Sequence, residues 1–325
     1  MTLHISEAEV RAVLTMPMAV EAVEVISRKQ ATGEVVVHPR RRFELPGGGF
    51  FHYMAAADFS LGFVAMKQYT FMRGKLRFLV PIYEMSTGDL LALIEADYMG
   101  QLRTGAASGV ATKYLARKDA SVAAIIGTGG QAKTQLEAVA AVRKLESACA
   151  YGRDAAKRQK FSEEMAKRLG IPVHICSSAA EAVHGADIVS TATTASQPVV
   201  FGANLSPGAH INAIGANHAH KRELDDEAVA SADIIVVDSV EQSRQEAGHL
   251  IIAFHGDESC WTGVKKLSEI VAGKASGRTS DTEVTLFKSN GIASWDLAVA
   301  IKVYALAREK GLGRELPLWS DVAKG

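Results

Sequence analysis

At 325 residues, 48% of them hydrophobic, the chain can bury a large core and exceeds the usual ceiling for one compact domain, so two domains are expected. Lysine plus arginine and aspartate plus glutamate each total 36, and this zero net charge excludes a field that recruits nucleic acid or an anionic membrane. Three scattered cysteines, Cys149, Cys176 and Cys260, exclude a disulfide framework and a zinc-type spacing, so a small-molecule partner and no metal are expected.

The opening MTLHISEAEVRAVL has acids where a secretion signal needs bases, and no run reaches roughly eighteen apolar residues, which predicts a cytoplasmic, untargeted protein. Helix period predicts a first helix from Ser6 to about Ala31. The strand-type runs GFVAMKQYTF and FLVPIYEM follow, the second turning at Ser86-Thr87-Gly88-Asp89 into LLALIEA. This first part reads as an α+β domain. A long helix is predicted after Tyr98, reaching about Ala116. From residue 121, six short β-runs alternate with helix-period segments: SVAAIIG, SACAYG, PVHICS, ADIVSTAT, AHINAIG and ADIIVVDS. That alternation predicts an α/β, Rossmann-type doubly wound parallel sheet, its apolar runs covered on both faces. ASWDLAVAIKVYALAREKGLG then predicts a last helix with a glycine stop, returning to the first domain. The expected domains are 1–118 completed by 289–325, and 119–288.

Gly127-Thr-Gly129-Gly130-Gln131-Ala132 has the GxGxxA form of a dinucleotide fingerprint. Gly127 permits the tight turn, Gly129 lets the backbone approach a pyrophosphate, and Ala132 lets helix and strand pack closely. Twenty positions on, where an NAD enzyme usually carries an acid, stand Gly152 and Arg153. Arg153 either pairs with a 2′-phosphate or is a solvated arginine at a helix start with Asp154 as N-cap. The expected cofactor is NAD(P)H, tilted toward NADPH. In the other half, Arg41, Lys67 and Arg103 are cations in apolar or glycine-rich settings, each a candidate for holding an anion or for simple surface packing.

The stretches LRTGAASGVATKYLAR (102–117), IIGTGGQA (125–132), PGAHINAIGA (207–216), RELDDE (222–227) and LFKSNGIASWDLAVA (286–300) together resemble the ornithine cyclodeaminase and mu-crystallin family, across nearly the whole chain. The resemblance implies a homodimer built through the N-terminal substrate-binding and dimerisation domain. It also implies NAD(P)-dependent chemistry at the α-carbon of an amino or imino acid. It makes Arg41, Lys67 and Arg103 the substrate-carboxylate clamp, with Lys67 exchanging a proton with the substrate nitrogen. It places Gly129, Gln131, Gly152, Arg153, Thr193, Ile214, Gly215 and Ser289 at cofactor contacts, joined by Arg103 and Thr104.

Two departures bear on the substrate. Asn217 stands where ornithine cyclodeaminases carry an aspartate, and His52 where they carry a glutamate. Without those acids a cationic ornithine side chain lacks its partners, and an unpaired buried ammonium is costly. A cyclic imine such as Δ1-pyrroline-2-carboxylate, or an imine with a second carboxylate facing His52, such as iminosuccinate, fits better. His52 and Asn217 are candidates for the chemistry; otherwise His52 is a strand histidine packed on aromatics and Asn217 holds its loop. The expected activity is reduction of an imino acid to the L-amino acid, or the reverse. The alternatives are a cyclodeaminase of ornithine or lysine that recycles NAD, and a ligand-binding protein without turnover.

Overall fold

A computed structural model describes residues 2–318. The chain begins with β1 (Thr2–Ile5), α1 (Glu7–Val13) and α2 (Met16–Thr32). The single predicted helix is therefore two, because Leu14 and Thr15 are extended and Pro17, at the start of α2, has no N–H to continue a ladder. A meander follows: β2 (Val35–Leu45), β3 (Gly49–Asp58), β4 (Phe63–Met72), β5 (Lys75–Glu84) and β6 (Leu90–Glu95). Then comes α3 (Asp97–Leu115). Its first amides, on Asp97 and Tyr98, donate to the Glu7 carboxylate, an acid at the positive end of a helix.

From there the chain alternates strand and helix: β7 (Val122–Ile126), α4 (Gly130–Val142), β8 (Ser147–Tyr151), α5 (Ala155–Leu169), β9 (Val173–Ile175), α6 (Ala179–Val183), β10 (Ile188–Thr191) and β11 (His210–Ala213). The run continues with α7 (Asp226–Ala230), β12 (Ile234–Val237), α8 (Val240–Glu246), α9 (Gly248–Ala253), β13 (Lys265–Lys266), α10 (Leu267–Val271) and β14 (Thr285–Lys288). These strands form one parallel sheet in the order β13-β12-β14-β11-β10-β7-β8-β9. It holds two strands more than the six predicted. TLFK, the missed β14, carries a lysine at its end yet slots between β11 and β12 with all four residues buried. Apolar cores lie around Ile125, Leu136 and Phe161 and around Val189, Ile211 and Leu286.

The chain ends with α11 (Ala293–Glu309) and β15 (Arg314–Leu316). β15 pairs with β1 at the edge of a seven-stranded mixed sheet, β15-β1-β6-β5-β4-β3-β2. Helix α11 packs on α2 and against β2, β3, β4 and β5, covering one face of that sheet. Two compact units result: residues up to Arg103 with those from Ile292 onward, and Thr104 to Gly291. The division falls within α3, earlier than the expected boundary after 118. The helix's second half belongs to the second unit: a Cβ on Gly105 would lie 2.4 Å from the Thr134 carbonyl of α4, and Thr112 accepts from Asn212 of β11 at 3.0 Å.

Candidate active site

In the first unit, alternation along β4 turns Lys67 into the face covered by α11, where it is only 4% exposed. Its ammonium donates to Asp296 Oδ1 at 3.0 Å, and Arg103 Nε donates to the same oxygen at 3.0 Å. Asp296 is 1% exposed. Gly100, one turn before Arg103, leaves the room Lys67 needs: a Cβ there would stand 3.1 Å from its Nζ. The rings of Phe78 and Tyr69 lie 5.2 and 5.9 Å from the same nitrogen. Burial, reinforced by Arg103 and Arg40 and opposed by Asp296, pulls the Lys67 ammonium down to about 8. A lysine so placed gives and takes a proton near neutrality.

Of the expected clamp, the structure brings Lys67 and Arg103 together and leaves Arg41 outside. Strict alternation from Val35 would send Arg41 inward. Instead His38 pairs with Ala55 and Arg41 with Tyr53, so Pro39 and Arg40 together oppose Met54. This bulge moves Arg40 and Arg42 to the face shared by His52 and Lys67, and turns Arg41 to the other. Arg41 is exposed, whereas Arg40 is half-buried and acts on the Lys67 charge. Pro39 in an edge strand was the available signal. His52, 7% exposed, stands two positions along the same face, with Nδ1 2.5 Å from the Tyr69 hydroxyl and its ring against Phe50.

In the second unit, Gly127 has φ 117°, and a Cβ there would meet the Ala192 carbonyl at 2.4 Å. Gly129 caps α4 with no side-chain partner, Gly130 opens the helix, and the space beside Gly129 is clear. Ala132 is buried, and Gln131 Oε1 is buried without a donor among the described residues. Uncapped amides at the start of a 13-residue helix, an open glycine above them and an orphaned amide oxygen fit a dinucleotide pyrophosphate. A Cβ on Gly152 would lie 2.7 Å from Thr128 Oγ1, so any larger residue there must displace the Thr128 side chain. Arg153 is exposed, and Asp154 caps α5 by accepting from Lys157 N.

The remaining expected contacts lie past the C-terminal ends of β10, β11 and β14, where ligands of parallel sheets bind. Thr193 N donates to Glu223 Oε1 at 2.6 Å, and a Cβ on Gly215 would collide with that carboxylate. Lys288, fully buried, donates to the Gly215 carbonyl at 3.0 Å and the Ser289 carbonyl at 2.8 Å, tying the segments of Ile214 and Ser289 together. Ser289 itself donates to Asp238. Thr104 is buried, and Asn217 is exposed just after Ala216, whose φ is 55°. Glu223, Asp238, Lys288, Arg40 and Asp296 were not foreseen. An acid inside the apolar period SWDLAVA was the signal for Asp296, since buried acids are rare unless paired.

The sequence pattern of the ornithine cyclodeaminase/mu-crystallin family matches residues 2–311. A Δ1-pyrroline-2-carboxylate reductase of Bacillus cereus is 41% identical over 239 residues, 73% of each chain. The structure of Thermococcus litoralis Δ1-pyrroline-2-carboxylate reductase with NADH and L-proline is 38% identical, with a TM-score of 0.92, over 97% of this chain and all of that one. An archaeal alanine dehydrogenase dimer with bound NAD is 34% identical, with a TM-score of 0.91, over 98% and 99% of the two chains. The likeness in fold thus runs along almost the full length, and the chain belongs to the ornithine cyclodeaminase/mu-crystallin family.

Proposed function

We propose that this protein is an NAD(P)H-dependent reductase that converts an imino acid to the L-amino acid, or runs the reverse dehydrogenation. A cyclic ketimine of the Δ1-pyrroline-2-carboxylate type is the preferred substrate and iminosuccinate the second candidate. The observation that carries this reading is the buried Lys67–Asp296–Arg103 cluster, in which one carboxylate serves two cations beside the further charge of Arg40. Two buried cations on one carboxylate suit an acid substrate. Arg40 and Arg103 hold its carboxylate by charge-assisted bonds, and Lys67 gives a proton to the imine nitrogen or takes it back from the amine. His52, with Tyr69 and Phe50, lines the same face and senses the substrate side chain. Gly129, Gly130, Gln131 and Arg153 hold the dinucleotide, and a bound nicotinamide supplies or accepts the hydride.

Arg153 beside Gly152 supports NADPH as the better coenzyme, while the Thermococcus litoralis reductase and the archaeal alanine dehydrogenase were solved with NADH and NAD. Phe43, 57% exposed, with Phe51 and Tyr53 beside it on the outer sheet face, supports a homodimer through the first unit. Among the described residues no helix is long and apolar enough to cross a membrane, and free thiols at Cys149, Cys176 and Cys260 agree with a cytoplasmic site of action.

The test is to mix the protein with NADPH or NADH and each imine, formed in solution, and follow nicotinamide absorbance. Oxidation of coenzyme with a cyclic ketimine, fastest with NADPH, is expected. Ammonia release from ornithine without net coenzyme change would overturn the reading in favour of a cyclodeaminase. The two arginines separate in the same assay. Arg40→Ala should raise KM for the imine by roughly tenfold or more, the loss of about 1.5–3 kcal/mol for a charged hydrogen bond. Arg41→Ala should leave it within about twofold; equal effects would reject the bulge-shifted assignment.

A further inference from the structure

Asp296 stands out as a buried acid that the expected clamp did not include. We infer that Asp296 is a positioning residue for the proposed reaction: by sharing one carboxylate oxygen between Lys67 and Arg103, it keeps the lysine charged and aimed until it delivers its proton. This rests on the reductase reading.

Geometry is the first support. Both cations converge on Oδ1 at 3.0 Å, while Oδ2 is buried and meets no donor among the described residues. An aspartate retained for folding alone would satisfy both oxygens, because a buried acceptor left unpaired destabilises. Here the charge is kept and the hydrogen-bonding capacity is not filled. Rigidity is the second. Asp296 projects from the first turn of α11, whose neighbours Ala293, Ser294, Trp295 and Leu297 are all buried, so its oxygen is a fixed point. Lys67 reaches it on a flexible four-carbon arm through the gap left by Gly100.

Charge balance is the third. The charged or titratable groups facing the ammonium are Arg40 from β2, Arg103 from α3 and Asp296 from α11, with His52 and Tyr69 along β3 and β4. The arginines cannot release a proton. Without the aspartate, the buried charges of Lys67 and Arg103 would lose the carboxylate they share, and Lys67 would relieve their repulsion by becoming neutral. A neutral lysine cannot act as the acid in reduction.

Asp296→Asn keeps the shape and removes the charge. The pH dependence of kcat/KM for imine reduction should then lose its alkaline limb earlier, by about one pH unit, a tenfold change in ammonium fraction. Labelling of Lys67 by acetic anhydride, read by mass spectrometry on the NADH-loaded protein, should show its midpoint falling equally. Asp296→Glu should restore part of both. A merely structural aspartate would instead lower activity in the same proportion at every pH and leave the labelling midpoint unmoved, which overturns the inference. Should the asparagine variant not fold, Arg103→Gln answers the question, since Lys67 would gain sole use of Oδ1 and lose the repulsion of Arg103, and its midpoint must rise. An unchanged midpoint there is equally fatal. Labelling needs no turnover, so a shifted midpoint in a protein inert toward every imine supports the pairing while sinking the reductase reading. Normal turnover with an unmoved midpoint sinks the inference alone.

Discussion

Lys67→Ala should lower kcat/KM for imine reduction by roughly 10²–10⁴-fold, the span expected on losing a general acid. The lysine is 4% exposed, and burial brings its ammonium to about 8. Reduction needs the protonated form, so wild-type kcat/KM should be level below that value and fall tenfold per unit above it. Amino-acid oxidation needs the neutral amine and should show the mirror limb, rising with pH toward the same point. The alanine variant should lose both limbs together with most of the rate. Lys67→Arg offers a sharper reading: the charge and the contact with Asp296 persist, yet a guanidinium gives up no proton at these pH values. It should bind the acid and still fail to reduce it. Full turnover in either variant, measured by coenzyme oxidation, would remove Lys67 from the mechanism.

The second large effect is expected in the glycine turn, where two neighbouring glycines serve different purposes. Gly127→Ala places a Cβ 2.4 Å from the Ala192 carbonyl at φ 117°, a backbone region side chains avoid. Strain of this kind costs about 1–3 kcal/mol, and the Ala192 carbonyl must move as well. The melting temperature should drop by several degrees, about 2–4 °C per kcal/mol for a unit of this size, with coenzyme binding lost alongside. Gly129→Ala meets nothing within 4 Å and has no unusual φ, so stability should stay within about 0.5 kcal/mol. Its methyl group nonetheless enters the space above the α4 amides, and the coenzyme Kd should rise by roughly tenfold or more, about 1.4 kcal/mol. Calorimetry and coenzyme titration on the two variants check the contrast. If Gly129→Ala bound coenzyme as tightly as wild type, the clear space at the helix start would not be where the pyrophosphate sits.

Much of the fold was readable because its signals are local. Continuous apolar runs such as AAII and IIVV announce strands covered on both faces, and a glycine turn between a strand and a helix needs only its own residues to form. The break between α1 and α2 was equally local, written in Pro17, and was overlooked. β14 was harder. TLFK is short and ends in a lysine, and only the sheet reveals that this lysine is buried against backbone carbonyls. The family stretches narrowed the chemistry but not the atoms.

By itself, then, the sequence determined the parallel sheet, the turn shaped for a dinucleotide, and the presence of basic residues near a strand and a helix suited to an acid. Which of those residues work together was decided in three dimensions. One extra residue in β2 exchanged Arg40 for Arg41, because side chains alternate and a single insertion reverses every face beyond it. Asp296 meets Lys67 and Arg103 across separations of 229 and 193 residues, distances over which no periodicity or spacing carries information. Only the return of α11 to the first unit creates that encounter.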